Sequence, residues 1–391
     1  MMELSKANVD KELQAILNYW RTKMVDPAGG FFGRIDENER VDTAAAKGVV
    51  LNARILWTFS ACWNYTRSRQ DFELAQRAAD YMHDHFTDLE AGGVYWSVTA
   101  NGQPLDTKKQ IYAQAFAIYG LSAFYRIASR QKDLQLAIDL FRCIEQYSVD
   151  RGLGGYLEAF SREWTELADL RLSEKDANEK KTMNTHLHIL EAYTLLYQVW
   201  PDATLKNSLR SLLDVFADQI YDHQRRHLRL FMNEKWESKL NIVSFGHDIE
   251  ASWLLLEAAQ VLGDAHLLTR VQTLALELAD ASLEGIAADG AMIYEYDADS
   301  KHMNNERHWW VQAEAMVGFL TAAQLSGDSR FYSVTAGLWD YTAKAIIDRT
   351  NGEWYWGRKG NGELMPGEDK AGFWKCPYHN SRACLELLNR L

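Results

Sequence analysis

Cysteine and proline are scarce, basic residues are outnumbered, and no long apolar run is present. The four cysteines (Cys62, Cys143, Cys376, Cys384) are irregularly spaced. That excludes a disulfide framework or a zinc cluster and points to a reducing, cytoplasmic setting. Five prolines in 391 residues leave room for long helices. Lys plus Arg number 42 against 54 Asp plus Glu, a net charge of −12. Nucleic acid and anionic membrane both require a basic surface, so neither is an expected partner. No stretch approaches the roughly 18 consecutive apolar residues of a membrane-spanning helix. The opening Met1-Met2-Glu3-Leu4-Ser5-Lys6 lacks the apolar core of a secretory signal, so none is expected. At 47% hydrophobic the chain is too apolar to be disordered. Its 12% aromatic content supplies both core and the walls of a pocket that stacks on flat ligands.

A glycine-then-aromatic signature recurs along the chain. It reads Gly29-Gly30-Phe31-Phe32, Gly92-Gly93-Val94-Tyr95-Trp96, Gly154-Gly155-Tyr156, a glycine-free Leu228-Arg229-Leu230-Phe231, Gly290-Ala291-Met292-Ile293-Tyr294 and Gly352-Glu353-Trp354-Tyr355-Trp356. Between positions 30, 93, 155, 228, 290 and 352 the spacing is 62 or 63 in four intervals and 73 in the other. A fixed period is the mark of a repeat architecture. Between signatures the text is helical. Segments 44–65, 110–129, 183–200, 246–262, 308–325 and 373–391 are apolar on most faces. Segments 71–85, 133–147, 204–220, 266–281 and 329–347 are amphipathic with a 3.6-residue period. By elimination, 9–23 pairs with the last helix. Six helix pairs with short hairpin turns between them predict an all-α fold, an (α/α)6 barrel with an inner ring wrapped by an outer ring. One domain over 1–391 follows, although length alone would suggest two or three.

In such a barrel the ends of the inner helices surround a funnel, so polar residues on them are informative. Arg54 sits among apolar neighbours. Asn184 and His188 share a helix face at i, i+4. His247, Glu250 and Trp253 follow at i, i+3, i+6, Trp310 lies over Glu314, and His379 comes from the sixth unit. Counted from their signatures, His247, Trp310, Arg54 and His379 fall 19, 20, 24 and 27 residues on, each early in an inner helix. Sixfold repetition then brings them to one rim. Histidine both takes and gives a proton near neutrality. Arginine stabilises a developing oxyanion, and tryptophan stacks on sugar rings. Two histidines on opposite sides of a carbon acid suit an epimerase or isomerase. Glu250 and Glu314 could instead be a glycosidase pair.

The blocks Lys181-Thr182-Met183-Asn184-Thr185-His186-Leu187-His188-Ile189-Leu190-Glu191-Ala192-Tyr193, Gly246-His247-Asp248-Ile249-Glu250-Ala251-Ser252-Trp253 and Tyr378-His379-Asn380-Ser381-Arg382 resemble the N-acylglucosamine 2-epimerase superfamily. The second block is most similar to its cellobiose branch. The resemblance runs over the whole chain, with the blocks in order and at matching spacing. It implies inversion at C2 of the reducing-end glucose of a β-1,4-linked disaccharide such as cellobiose or lactose, through a cis-enediolate. By the same resemblance His247 and His379 are the acid–base pair, and His188 assists ring opening or holds the intermediate. Arg54 lies near the enediolate oxygen and Glu250 orients His247. Glu314 and Asn184 bind hydroxyls, Trp310 and Trp374 stack on sugar, and Trp253 and Tyr112 complete the substrate contacts. No metal and no cofactor is needed, and a closed barrel needs no partner chain, so a monomer is expected.

Each reading has a plainer rival. His186 is turned about 160° from His188 and reads as structural. His223, His227 and His302 lie in loop text and read as solvated. Segment 161–182 holds 11 charged residues in 22 and reads as a solvated insertion ahead of His188, lying over the funnel. A mannose-type aldose–ketose isomerase, a glycoside hydrolase on the same barrel and a non-catalytic carbohydrate-binding module are the functional alternatives.

Overall fold

Twelve α-helices, described in a computed structural model over residues 3–391, alternate between two concentric rings. The outer ring is α1 (Lys6–Lys23), α3 (Arg69–Tyr81), α5 (Gln131–Cys143), α7 (Ala203–Val215), α9 (Ala265–Ser282) and α11 (Ser329–Tyr341). The inner ring is α2 (Val49–Thr66), α4 (Ile111–Ala128), α6 (Met183–Val199), α8 (Phe245–Leu262), α10 (Trp309–Ser326) and α12 (Tyr378–Arg390). Each inner helix packs on the next, and α12 returns to α2, so the ring closes; α1 packs on α12. The composition dictates this division. Inner helices are buried on nearly every face, as in α4 from Ile111 through Phe124. Outer helices bury one stripe, as in α7, where Leu205, Ser208, Leu209, Leu212 and Leu213 face inward. Inner helices approach closely where small residues meet. A Cβ on Gly318 of α10 would lie 2.6 Å from the Ile249 carbonyl oxygen of α8.

The glycine signatures are tight hairpins at one end of the barrel. Gly93 and Gly155 hold φ of 77° and 74°, a region that costs a side-chain-bearing residue. In the glycine-free fourth unit Arg226 takes the left-handed position. An aspartate organises each turn: Asp88 Oδ1 accepts from the backbone N–H of Glu90 and Ala91, and Asp150 Oδ1 from Gly152 and Leu153. In the first three units its other oxygen meets a buried lysine just ahead of the next inner helix. These pairs are Lys47–Asp26 (2.6 Å), Lys109–Asp88 (2.9 Å) and Lys181–Asp150 (2.9 Å). The residues that lead into each inner helix pair with the following unit's hairpin: Lys47 with Val98, Lys109 with Phe160, Lys181 with Met232, Ile242 with Asp297 and Arg307 with Arg358. A bridge between Ile35 and Ala371 closes this belt.

That pairing shifts two helix starts from the sequence expectation. Helix α2 begins at Val49, not Ala44, because Lys47 and Gly48 spend their backbone groups on the hairpin. Helix α12 begins at Tyr378, not Phe373, because Pro377 disfavours helix in the residue before it. Four outer helices also end in a π-helical turn, at Met82–Phe86, Ile144–Ser148, Phe216–Ile220 and Thr342–Ile346. Among the described residues no helix is long and apolar enough to cross a membrane.

Candidate active site

The N-termini of the six inner helices converge at the hairpin end of the barrel and surround a cavity of about 430 Å³. Helices α2, α4, α6, α8 and α10 begin directly after a strand pair, so first-turn and second-turn side chains are delivered to the rim. Arg54, Tyr112, Asn184, His188, His247, Glu250, Trp310, Trp374 and His379 line this one cavity. Converging N-termini add partial positive charge, which favours an anion and disfavours cationic imidazole.

The three histidines expected from the sequence each have Nδ1 engaged, leaving Nε2 as the free ring atom. His188 Nδ1 meets Glu191 Oε2 at 3.0 Å, His247 Nδ1 meets Ser244 Oγ at 2.8 Å, and His379 Nδ1 meets Glu314 Oε1 at 2.6 Å. The Trp310 ring lies against both His247 (centroids 4.7 Å) and His379 (5.8 Å). Arg54 donates to the Tyr112 hydroxyl at 2.7 Å, and its guanidinium lies over Phe116. Behind the histidines, Arg382 Nη2 donates to Glu250 and Glu314, both at 2.7 Å, while Nη1 reaches Glu191 and the Tyr378 hydroxyl.

Burial sets the charges. It pushes His247 down to about 3, with the neighbouring His188 adding to the effect. It holds His379 well below the usual imidazole range, helped by Arg54 and Arg382, and lowers His188. Burial also raises Glu250 well above the usual carboxylate range, with Glu314 as the second cause, and raises Glu314 itself. Glu191 goes the other way, to about 2: burial opposes its charge, but Arg382 and His188 outweigh that. Burial therefore favours the protonated form of Glu250 and Glu314 and the neutral form of the three imidazoles. Glu250, Glu314 and His379 offer ligand atoms within 4.8 Å of one another. The Arg382 guanidinium already sits on both carboxylates, so this set does not suit a metal ion.

Four buried polar atoms around the cavity have no partner among the described residues: Arg54 Nε, Asn184 Oδ1, Trp309 Nε1 and Trp356 Nε1. Orphaned buried donors and acceptors are costly unless something fills them. A recess of about 370 Å³ adjoins it, sharing Asn184, His247, Tyr294 and His308.

Four sequence expectations change. Glu250 does not hold His247; its Oε1 lies by Arg382 and 3.9 Å from His379 Nδ1. Glu314 is fully buried behind His379 and does not line the cavity. Trp253 does not line it either: its Nε1 donates to Glu314 Oε2 at 3.1 Å, and the residue borders a second cavity at the far end. His227 is buried against Asp248 at 2.7 Å, whereas the loop text reads as solvated; His223 and His302 are exposed. His186 is structural as expected, bonded to the Thr182 carbonyl and the Tyr156 N–H. The charged insertion lies over the cavity through Leu172–Asp176. Arg382, Glu191 and Tyr378 were not singled out by sequence. The available signal was helical spacing: Arg382 follows His379, and Glu191 follows His188, at i+3.

The pattern of the family described as N-acylglucosamine 2-epimerase matches residues 30–383. A cellobiose 2-epimerase of Bacteroides fragilis is 50% identical over 390 residues, covering 99% of this chain and all of that one. A cellobiose 2-epimerase of Dictyoglomus turgidum is 35% identical, covering 96% of each chain. The solved structure of cellobiose 2-epimerase from Bacillus thermoamylovorans B4167 superposes with a TM-score of 0.94 at 37% identity, covering 99% of both chains. With matches of this extent, the chain belongs to the N-acylglucosamine 2-epimerase family and is an epimerase enzyme.

Proposed function

We propose that this enzyme inverts C2 of the reducing-end glucose in β-1,4-linked disaccharides, cellobiose and lactose among them. The observation that carries the reading is the convergence of three histidines, each with Nδ1 anchored and Nε2 free, on one cavity with Arg54. The adjoining recess gives room for a second sugar beyond the reacting one, in keeping with relatives named for cellobiose.

The open-chain aldehyde presents its C2 proton to a neutral imidazole. His247, held neutral by burial, takes that proton at Nε2, and the C–H electron pair becomes the C1–C2 double bond of a cis-enediolate. The negative charge passes to the C1 oxygen, where the positive charge of Arg54 at the cavity wall stabilises it. Rotation about C2–C3 turns the other face of C2 toward His379. His379 Nε2 gives its proton to C2 while its Nδ1 takes one from the Glu314 carboxyl group, which restores the aldehyde with inverted configuration. His188, backed by Glu191, assists ring opening, and Asn184, Trp310 and Trp374 hold the sugar. Glu314 acts through His379, so it is a positioning residue.

The test is turnover of cellobiose in D2O followed by NMR. Glucosyl-mannose carrying deuterium at C2 is expected, and His247→Ala and His379→Ala are each expected to abolish it while leaving a folded protein. Ketose as the main product would replace epimerisation by isomerisation. Glucose release, or no exchange at C2, would overturn the reading.

A further inference from the structure

The barrel is hollow at both ends. Where the inner helices finish, opposite the histidines, lies a second cavity of about 510 Å³, within the range of small-molecule sites. The mechanism above makes no use of it. Its walls come from the C-terminal halves of α2, α4, α6, α8 and α12, whose terminal carbonyl groups call for donors.

Three features describe what it would hold. The first is aromatic surface: Trp57 and Tyr119, stacked at 5.5 Å and 11°, and Trp253. The second is unmet hydrogen bonding. The Glu257 carboxylate makes no hydrogen bond or ion pair among the described residues, and Arg382 Nε, buried at this wall, has no partner. One is an acceptor and the other a donor. The third is charge balance. Glu191 is matched by Arg382, Glu386 by Arg390 at 2.5 Å, and Arg126 donates to Gln198 Oε1 at 3.2 Å. No strong net charge is left for an ionic ligand to neutralise.

We infer that this rear chamber is a second carbohydrate site, taking a neutral polyhydroxylated ligand of monosaccharide size that stacks on the aromatic wall and donates to Glu257. The ligand would touch Glu191, Arg382 and Trp253, which hold His188 and Glu314 from behind. Occupancy at the rear is thereby coupled to the groups that position the histidines.

The experiment uses methyl β-D-glucopyranoside, which has no free aldehyde and cannot turn over. The full chain is titrated calorimetrically, and crystals are soaked in the same sugar near its solubility limit. Sugar density in the rear chamber is expected, with a binding event that weakens at least tenfold in Glu257→Ala and in Ala61→Phe, which fills the chamber. Trp374→Ala, at the opposite end, is expected to leave that event unchanged. Thermal melts confirm that each variant is folded. A rear chamber that holds only water in the soak, or a binding event indifferent to both rear variants, overturns the inference whatever the front cavity holds. The readout involves no turnover, so it is decided separately from the epimerase reaction.

Discussion

Replacing Glu191 with glutamine removes one charge from the interior while keeping its shape. The structure sets the cost. Glu191 is 2% exposed, and Arg382 and His188 hold its carboxyl at about 2 instead of the ordinary 4.5. The amide mimics the protonated acid, so the substitution forfeits the preference for the charged form. Two and a half pH units correspond to about 3 kcal/mol at neutral pH. A folded-state value below the unfolded one means that this stability is fully present above the unfolded carboxyl range. It fades as the pH falls toward 2. For a chain of this length about 3 kcal/mol lowers the melting temperature by about 4 °C. Calorimetric melts of the two proteins are therefore expected to differ by that amount at pH 7, and by less than half of it near pH 3. A gap below about 1 °C at pH 7, or one that does not narrow with acid, would refute the account of Glu191 as a charge held in place by Arg382.

Glu314→Gln leaves His379 Nδ1 facing an amide, with the proton-holding cluster broken. Steady-state kinetics on cellobiose are expected to show kcat reduced by about a hundredfold or more with KM little changed, since general acid–base help is lost rather than binding. Asp88→Asn strands Lys109, which is fully buried and also shares Asp88 with Arg162. An uncompensated buried charge costs about 3 to 5 kcal/mol, to be read as a lower denaturation midpoint. Gly318→Ala drives a methyl group against the Ile249 carbonyl. Denaturant unfolding is expected to report a loss of about 1 to 3 kcal/mol, because α8 and α10 must separate.

The angular arrangement of the site was legible in the sequence, and its depth was not. A closed sixfold repeat turns an offset from each glycine signature into a position around the rim. Nine of the eleven candidate residues accordingly share one cavity. How far a side chain lies from the rim depends instead on how many residues separate it from its helix start, at about 1.5 Å each. His247 is the third residue of α8 and faces the front, whereas Trp253 is the ninth and borders the rear chamber. Glu191, ninth in α6, also borders that chamber and reaches the histidines only through His188. Glu314, sixth in α10, stands at the depth of Glu250 but is covered by His379. Apart from α6, where Thr182 caps the first turn, those starts follow no local capping signal. In α2, α4, α8 and α10 no side chain caps the N-terminus. Each helix begins where its leading residues stop pairing with the neighbouring unit's hairpin, a contact made some 50 residues downstream. The aspartates and lysines that brace those hairpins recur with the repeat, so Asp26, Asp88 and Asp150 with Lys47, Lys109 and Lys181 were readable in principle. Reading that second periodicity would have located the helix starts, and with them which carboxylates touch the ligand and which act only through a histidine.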